Sequence, residues 1–364
     1  MTIAPIPTDE DEACKKYPAL CQDKDAQTVE FLFATNRRRA DRERISFTGE
    51  RSNDLTFGAA RVRIPEKHEP GQIELPTKID FWGYTLYETK PDEQKHFTIK
   101  SVIKLDRDDW GKLISEGDAK EALIFVHGYN TSFEDSLYRH AQIIWDLQYK
   151  RGISILFSWP SRGATLDYIY DQQSALIARS SFVKLLRILR DEYNVQKIHV
   201  LAHSMGNLIV LDALANEQRT VNPLQIAELI MAAPDVDRDH FRMIAPEVRK
   251  ITAGMTLYAS SADKAMTVSR QLARIPRAGD VPTDGPIVLP GIETIDVTAL
   301  GGEFLGLNHD VFASSRLVMK DVKALLTSGL RPPSARGEIR GVPGGVNPPI
   351  YWRYPKQEPD RVRP

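Results

Sequence analysis

The chain has 364 residues, of which 42% are apolar, and its 48 basic side chains nearly cancel its 49 acidic ones. Such an apolar fraction supplies a sizeable core and excludes a chain that is disordered throughout. A net charge of −1 gives no electrostatic reason to expect nucleic acid or an anionic membrane as the main partner. No apolar run approaches the roughly 18 residues that a membrane span needs, so we expect a soluble protein without such a span.

The first segment, residues 1–26, is acidic, contains three prolines and is expected to be a flexible leader without a signal-peptide pattern. It holds the two cysteines of the chain, Cys14 and Cys21. They form a disulfide if the protein is exported or periplasmic, and they stay free thiols if it is cytoplasmic. The sequence leaves both alternatives open, so the localisation is unknown at this stage.

Residues 27–119 are expected to form a β-rich N-terminal extension packed on the core. Three stretches in this part, at 28–35, 57–64 and 97–105, are rich in β-branched and aromatic residues. Loops rich in proline and charge separate them. No motif of catalytic type occurs here, which favours extra strands of the main domain.

A core of alternating strands and helices is predicted for residues 120–330. The continuous apolar run at 122–126 is typical of a strand with both sheet faces covered. Thr131 precedes Glu134 by three residues, a capping-box pattern that predicts the start of a helix. Further strands are expected at 153–157, 197–201, 226–231, 255–259 and 294–297, and further helices at 172–193, 205–216 and 311–326. This order predicts an α/β fold, with a mainly parallel central sheet, helices on both faces and a site at the carboxyl ends of the strands.

Residues 331–364 contain eight prolines together with several glycines and arginines. Such a tail cannot bury a core of its own and is expected to be extended or disordered. Whether its aromatic cluster at 351–354 docks on the core is left open.

The segment Ala-His-Ser-Met-Gly at 202–206 fits the nucleophile elbow Gly-x-Ser-x-Gly, with Ala202 replacing the first glycine. The elbow forces close backbone approach on both sides of the nucleophile, so the flanking positions need small residues such as Ala202 and Gly206. A predicted strand precedes this turn and a predicted helix follows it. The pattern therefore predicts Ser204 as a catalytic nucleophile.

An attacked carbonyl becomes an oxyanion, which needs two preorganised N–H donors. One is expected to be the amide of Met205, the residue after the nucleophile. The other comes from the loop after an earlier central strand. There Gly128 allows a sharp turn, which makes the amide of Tyr129 the predicted second donor. His127 is expected to brace this loop and not to act as a base.

The general base is expected C-terminal to Ser204, because triads of this fold follow the chain order Ser, acid, His. His240 and His309 are the two histidines in that part of the chain. His309 lies in the loop between the last predicted strand and the last helix, from which a base can reach back over the sheet. His240 begins a helix in a charged run and is interpreted as a solvated surface residue. The prediction is His309.

The acid of the triad holds the imidazole in the correct tautomer. Asp263 lies in the loop after the strand at 255–259 and is the preferred candidate, although it could instead cap the following helix. Asp235 follows the preceding strand and is the alternative. Asp310 adjoins the predicted base and is expected to point away from it.

Five segments carry a resemblance to a known family. They read Phe-Val-His-Gly-Tyr-Asn-Thr-Ser-Phe at 125–133, Phe-Ser-Trp-Pro-Ser-Arg at 157–162, Ala-His-Ser-Met-Gly-Asn at 202–207, Ala-Pro-Asp-Val-Asp at 233–237 and Leu-Tyr-Ala-Ser-Ser at 257–261. From about residue 30 to residue 326 the chain resembles a bacterial α/β-hydrolase family of unknown function in the esterase/lipase superfamily. The resemblance implies the α/β-hydrolase fold and a triad of Ser204, Asp263 and His309, but no substrate. Asn308 stands where a glycine is expected before the base.

The function predicted from these observations is that of a carboxylesterase that forms an acyl-enzyme on Ser204 and acts on a small-molecule ester. The same triad would also serve an acyltransferase, a thioesterase or an amidase, and a non-catalytic binding protein on a hydrolase fold is a further alternative. No metal-binding motif and no phosphate-binding glycine loop is seen, so neither a cofactor nor a metal is expected. The sequence does not predict the oligomeric state.

Overall fold

The computed structural model describes residues 16, 25–40, 45–81, 84–116, 120–162, 167–261, 276–300, 312–345 and 348–355. The strands of this part are β1 (Thr28–Arg39), β2 (Phe47–Arg63), β3 (Lys78–Phe81), β4 (Tyr84–Glu88), β5 (Thr98–Leu105), β6 (Glu121–Val126), β7 (Ile153–Ser158), β8 (Lys197–His203), β9 (Ile226–Ala232), β10 (Thr252–Ala259), β11 (Glu293–Asp296), β12 (Arg340–Val342) and β13 (Tyr351–Arg353). The helices are α1 (Arg107–Glu116), α2 (Phe133–Leu147), α3 (Tyr168–Arg187), α4 (Gly206–Glu217), α5 (Arg238–Arg249) and α6 (Phe312–Ser328). A π-helical turn, Ile188–Glu192, continues α3.

One large sheet organises the described residues, with the strand order β12-β13-β11-β10-β9-β8-β6-β7-β1-β2-β5. All neighbours from β13 to β1 are parallel, whereas β12, β2 and β5 pair antiparallel with their neighbours at the two edges. The mainly parallel sheet expected from the alternation of strands and helices is therefore confirmed. The strands β1, β2 and β5 extend this same sheet, while β3 and β4 form a separate hairpin.

Two apolar layers cover the two faces of the sheet. In β6, Ile124 and Val126 belong to the layer that includes residues of α3, α4 and α5, such as Phe182. Leu123 and Phe125 belong to the opposite layer, which is completed by residues of α2 and α6. Helices on both faces explain why β6 is an uninterrupted apolar run.

The helix after β6 begins one residue later than the capping-box pattern predicted. Ser132 is the N-cap, and its hydroxyl accepts a hydrogen bond of 3.1 Å from the amide of Asp135. The carboxylate of Asp135 in turn accepts a hydrogen bond of 3.3 Å from the amide of Ser132. The prediction of Thr131 and Glu134 was wrong because the hydroxyl of Thr131 donates instead to the carbonyl of Tyr129, at 3.0 Å.

The described residues of the C-terminal tail include two short strands, which fits the extended alternative of the prediction and not the disordered one. Strand β13 pairs with β11, and the Tyr354 side chain beyond it is buried. Further back, the Arg336 guanidinium is fully buried and binds the carboxylates of Asp321 at 2.7 Å and of Glu293 at 3.1 Å. These contacts dock the aromatic cluster on the core.

Candidate active site

Ser204 occupies a strained turn between β8 and α4. Its φ angle is +49°, a left-handed conformation that a non-glycine residue adopts only when its surroundings impose it. The Ser204 amide donates to the carbonyl of Ala232 at 2.9 Å, and the Ser204 carbonyl accepts from the amides of Asn207 and Asp235, both at 3.1 Å. These bonds fix the backbone on both sides of the serine. The turn predicted at this position is therefore present, with its hydroxyl-bearing residue at the carboxyl end of a central strand.

The residues beside the serine show why small side chains are needed. A Cβ atom added to Gly206 would lie 2.5 Å from the carbonyl oxygen of His127 and 2.7 Å from that of Val126. Both obstacles are backbone atoms of the β6 segment, which cannot move cheaply. Ala202 is fully buried beside this contact, at the end of β8. The close packing of the β6 segment against the elbow thus requires the glycine at position 206.

Asn207 is a residue of the elbow whose role the sequence reasoning did not identify. Its buried side-chain amide lies within hydrogen-bond distance of the carbonyl oxygens of Ala202, Ser204 and Ala232, at 3.1 to 3.3 Å. A single side chain thereby ties the end of β8, the serine and the end of β9. The position of Asn207 directly after the elbow is the sequence feature that could have suggested this role.

The loop after β6 crosses the elbow closely. A Cβ atom added to Gly128 would lie 3.0 Å from Cβ of Ser204 and 3.0 Å from Nδ1 of His203. Tyr129, the predicted second donor, is the next residue of this loop. Met205 is the N-cap of α4, and the amides at a helix N-terminus have no acceptor within the helix. The backbone of both predicted oxyanion donors therefore lies at this edge of the sheet.

His127 braces this loop, as predicted. The ring nitrogen Nδ1 lies 2.8 Å from the carbonyl oxygen of Gly128, to which it donates, and Nε2 accepts a hydrogen bond of 3.1 Å from the amide of Trp159. The imidazole ring of His127 also stacks on the indole ring of Trp159, with their centroids 5.1 Å apart. Burial holds the pKa of His127 well below its usual range, and the charge of Arg37 lowers it further. The ring is therefore a neutral structural element.

Asp235, the alternative acid, is engaged in a buried network. One carboxylate oxygen lies 3.1 Å from Nε of Arg277, and the other accepts a hydrogen bond of 3.0 Å from the hydroxyl of Tyr168. Arg277 also donates to that hydroxyl, at 3.1 Å. Both charged side chains are almost fully buried. The described contacts give this carboxylate a structural role between β9 and the 276–280 segment, and its role as the alternative acid stays a prediction.

The preferred acid and base, Asp263 and His309, lie outside the described residues, as does Asp310. The strands that precede their segments, β10 and β11, are parallel to β8 and β9. Ala259 and Asp296, the last residues of β10 and β11, therefore lie at the same carboxyl edge of the sheet as Ser204. The roles of Asp263 and His309 stay predictions.

His240 was interpreted as a solvated surface residue, but its side chain is partly buried and contacts a carboxylate. Its Nε2 lies 2.7 Å from a carboxylate oxygen of Asp212, and its side chain is only 32% exposed. The same carboxylate also binds Arg179, at 2.9 Å. The ring is thus held by a side-chain contact between α4 and α5, which the run of charges around it did not reveal.

Within the described ranges, no group of three or more His, Cys, Asp or Glu side chains is arranged to hold a metal ion. No helix in this part of the chain has the length and apolarity required to cross a membrane.

Comparison with known proteins gives a family match and several distant similarities. The model of the family described as "Alpha/beta hydrolase of unknown function (DUF900)" matches residues 106–328. An uncharacterised protein, alr1448, from Nostoc sp. is 27% identical over 177 residues, a match that covers 39% of this chain and 46% of that protein. The chain thus spans about half the length of this curated relative.

Among solved structures, the putative cell surface hydrolase from Lactobacillus plantarum WCFS1 is 14% identical, with a TM-score of 0.35, over 59% of this chain and 95% of its own. A fungal esterase from Rhizomucor miehei is 10% identical, with a TM-score of 0.35, over 83% of this chain and 84% of its own. The Pyrococcus furiosus esterase Pf2001 is 12% identical, with a TM-score of 0.29, over 57% of this chain and 81% of its own. The family match extends over more than half of the chain and contains the elbow at Ser204, so this protein belongs to the α/β hydrolases of unknown function described as DUF900.

Proposed function

We propose that this protein is a serine hydrolase that cleaves carboxylic esters of small molecules through an acyl-enzyme on Ser204. The observation that carries the proposal is the elbow itself. Ser204 is held at a φ of +49° where a central strand passes into a helix, with the backbone at Gly128 packed against it. Backbone strain at a serine between a strand and a helix is typical of a functional turn.

In the proposed mechanism, the hydroxyl oxygen of Ser204 attacks the ester carbonyl carbon while His309 takes the hydroxyl proton. The resulting oxyanion accepts hydrogen bonds from the amides of Met205 and Tyr129. Collapse of this intermediate expels the alcohol, which receives the proton from His309 and leaves an acyl group on Ser204. Water, activated by His309, then releases the acid and regenerates the serine.

The remaining groups support this chemistry indirectly. Asp263 is the proposed acid that holds the His309 tautomer and stabilises the imidazolium. Each of the two amides is expected to be worth roughly 100- to 1000-fold in rate, because each stabilises charge that develops only in the transition state. No step requires a metal ion, so EDTA is expected to leave the activity unchanged.

A panel of p-nitrophenyl esters from acetate to palmitate tests the proposal, with Ser204→Ala as the control variant. We expect hydrolysis of at least one ester by the wild type and none by Ser204→Ala. Because the same nucleophile would also serve thioesters and amides, the panel includes an acyl thioester and an anilide. Ester turnover that survives in Ser204→Ala, or that falls with EDTA and returns with added metal, would overturn the proposed mechanism.

A further inference from the structure

We propose that Asp171 is a positioning residue of the oxyanion hole, which fixes the backbone that presents the Tyr129 amide. The inference rests on the proposed function, in which that amide binds the oxyanion. Asp171 lies in the first turn of α3, and it belongs to none of the motifs that identify the elbow. It acts through the backbone of the β6 loop and does not contact the substrate.

The carboxylate of Asp171 is fully buried and accepts three hydrogen bonds from two loops. One oxygen accepts from the amide of Asn130 at 3.1 Å and from the hydroxyl of Ser161 at 2.5 Å. The other oxygen accepts from the amide of Arg162 at 3.0 Å. Burial raises the pKa of this carboxyl, so the three donors must stabilise a charge that solvent does not. A buried carboxylate of this kind specifies one arrangement of the loops that it joins.

The peptide unit between Tyr129 and Asn130 is fixed at both of its polar atoms. Its carbonyl oxygen accepts from the hydroxyl of Thr131 at 3.0 Å, and its N–H donates to Asp171. Asn130 has a φ of +54°, a left-handed conformation that asparagine adopts more readily than most residues with a side chain. Since the Asp171 bond holds the amide of this turn residue, its loss would allow the loop to shift and to carry the Tyr129 amide away from Ser204.

A second set of contacts makes the two loops a single unit. The hydroxyl of Ser161, which donates to Asp171, also accepts from the amide of Thr131 at 3.0 Å. The buried Arg37 guanidinium donates to the carbonyl of Ser161 at 2.7 Å and to that of Thr131 at 2.8 Å. The guanidinium of Arg37 and the carboxylate of Asp171 thus each bind both the loop after β6 and the loop after β7.

The chemistry of the acceptor makes a specific demand at position 171. Donors approach both oxygens of the carboxylate, whereas an asparagine offers one oxygen and one NH₂ group. In Asp171→Asn, the NH₂ group must therefore face either the amide of Asn130 or that of Arg162. We expect a graded loss, smaller for Asp171→Asn than for Asp171→Ala, which removes all three bonds.

The test measures kcat and KM for the best ester of the panel, together with inhibition by a trifluoromethyl ketone of matched shape. Ser204 adds to this ketone, its proton passes to His309, and the carbonyl becomes an oxyanion. The hydrogen bond from the Tyr129 amide to the oxyanion forms only as the transition state is reached. Because Asp171→Ala weakens that bond, we expect it to lower kcat about 10- to 100-fold with KM nearly unchanged. The ketone is expected to bind more weakly by the same factor.

Asp146→Asn is the matched control. The buried carboxylate of Asp146 accepts a hydrogen bond of 2.6 Å from the amide of Gly71 and pairs with His68. It resembles Asp171 in this respect, but it lies in the last turn of α2, at the end of the helix opposite to the loop after β6. We expect it to lower the melting temperature without changing kcat or ketone affinity.

Three outcomes separate the two proposals. A wild type with Ser204-dependent turnover, together with Asp171 variants of unchanged kcat, overturns the role of Asp171 alone. Equal losses in Asp146→Asn and Asp171→Ala also overturn it, since they would report stability only. A wild type without any Ser204-dependent turnover overturns the proposed function and this inference with it.

Discussion

The amide of Asp235 donates a hydrogen bond of 3.1 Å to the carbonyl oxygen of Ser204. The loop after β9 is thereby fastened directly to the nucleophile elbow. The side chain of Asp235 pairs with Arg277, in the segment 276–280. This segment packs on the loop after β9 through two backbone hydrogen bonds, from Ala278 to Val236 at 2.9 Å and from Gly279 to Pro234 at 3.0 Å. Asp235 is therefore a structural link between the elbow and the 276–280 segment.

Two isosteric substitutions separate this structural role from that of the proposed acid, Asp263. Asp263→Asn is expected to lower kcat by roughly 10⁴-fold with little change in stability, since loss of the triad acid leaves the imidazole in the wrong tautomer. Asp235→Asn removes the charge partner of a buried arginine and is expected to cost about 3 to 5 kcal/mol of stability. Kinetics on one activated ester and urea unfolding of both variants provide the comparison. If Asp235→Asn is folded but inactive while Asp263→Asn retains wild-type turnover, the assignment of the acid is wrong.

The buried Arg336 anchors the C-terminal tail, and its removal is expected to destabilise the whole fold. Arg336→Ala leaves the carboxylate of Asp321 buried without this charge partner and also removes the ion pair with Glu293, at an expected cost of about 3 to 5 kcal/mol. Arg353 on the same tail is the control, because its side chain is 48% exposed and lies 3.7 Å from Asp296. An exposed pair of this kind contributes about 1 kcal/mol or less. Equal midpoints of denaturant unfolding for the two alanine variants would contradict the anchoring role.

The stability of the protein is expected to fall between pH 6.5 and pH 9 because of His68. Burial lowers the pKa of His68, but hydrogen bonds to Asp146 and Glu74 outweigh this effect and raise it to about 9. Below pH 6.5 both the folded and the unfolded chain carry the proton, so the stabilisation is complete. As the pH rises, the unfolded chain releases its proton first, and the contribution of about 3 kcal/mol is lost as the pH passes 9.

Free energies of unfolding measured from pH 6 to pH 10 check this expectation against the variant His68→Gln. The wild type should lose more stability than the variant across that interval. Parallel curves for the two proteins would show that His68 is not held as an imidazolium.

The parts of the fold that could be predicted from the sequence are those that local pattern determines. The apolar run of β6 follows from burial on both faces, and the glycine at 206 follows from its close contacts with the backbone of Val126 and His127. The π-helical turn after α3 and the shift of the N-cap to Ser132 depend on small differences in local hydrogen bonding. The sequence pattern does not resolve differences of that size.

The networks behind the site could not be predicted, because their members are distant in the chain. Arg37 lies 124 positions from Ser161, and Asp171 lies 41 positions from Asn130. Asp235 could be recognised as a carboxylate at a strand end, but its pairing with Arg277 depends on how the 276–280 segment packs. Only the folded arrangement distinguishes a buried structural carboxylate from a catalytic one.

Covalent labelling by a fluorophosphonate tests the central claim most directly, because the probe reacts with an activated serine whatever the natural substrate is. Intact-mass measurement and peptide mapping of the wild type and of Ser204→Ala identify the modified residue. We expect a single adduct on Ser204 in the wild type and none in the variant, with circular dichroism showing that both are folded. An unlabelled wild type, or an adduct that persists in Ser204→Ala, would contradict the assignment of Ser204 as the nucleophile.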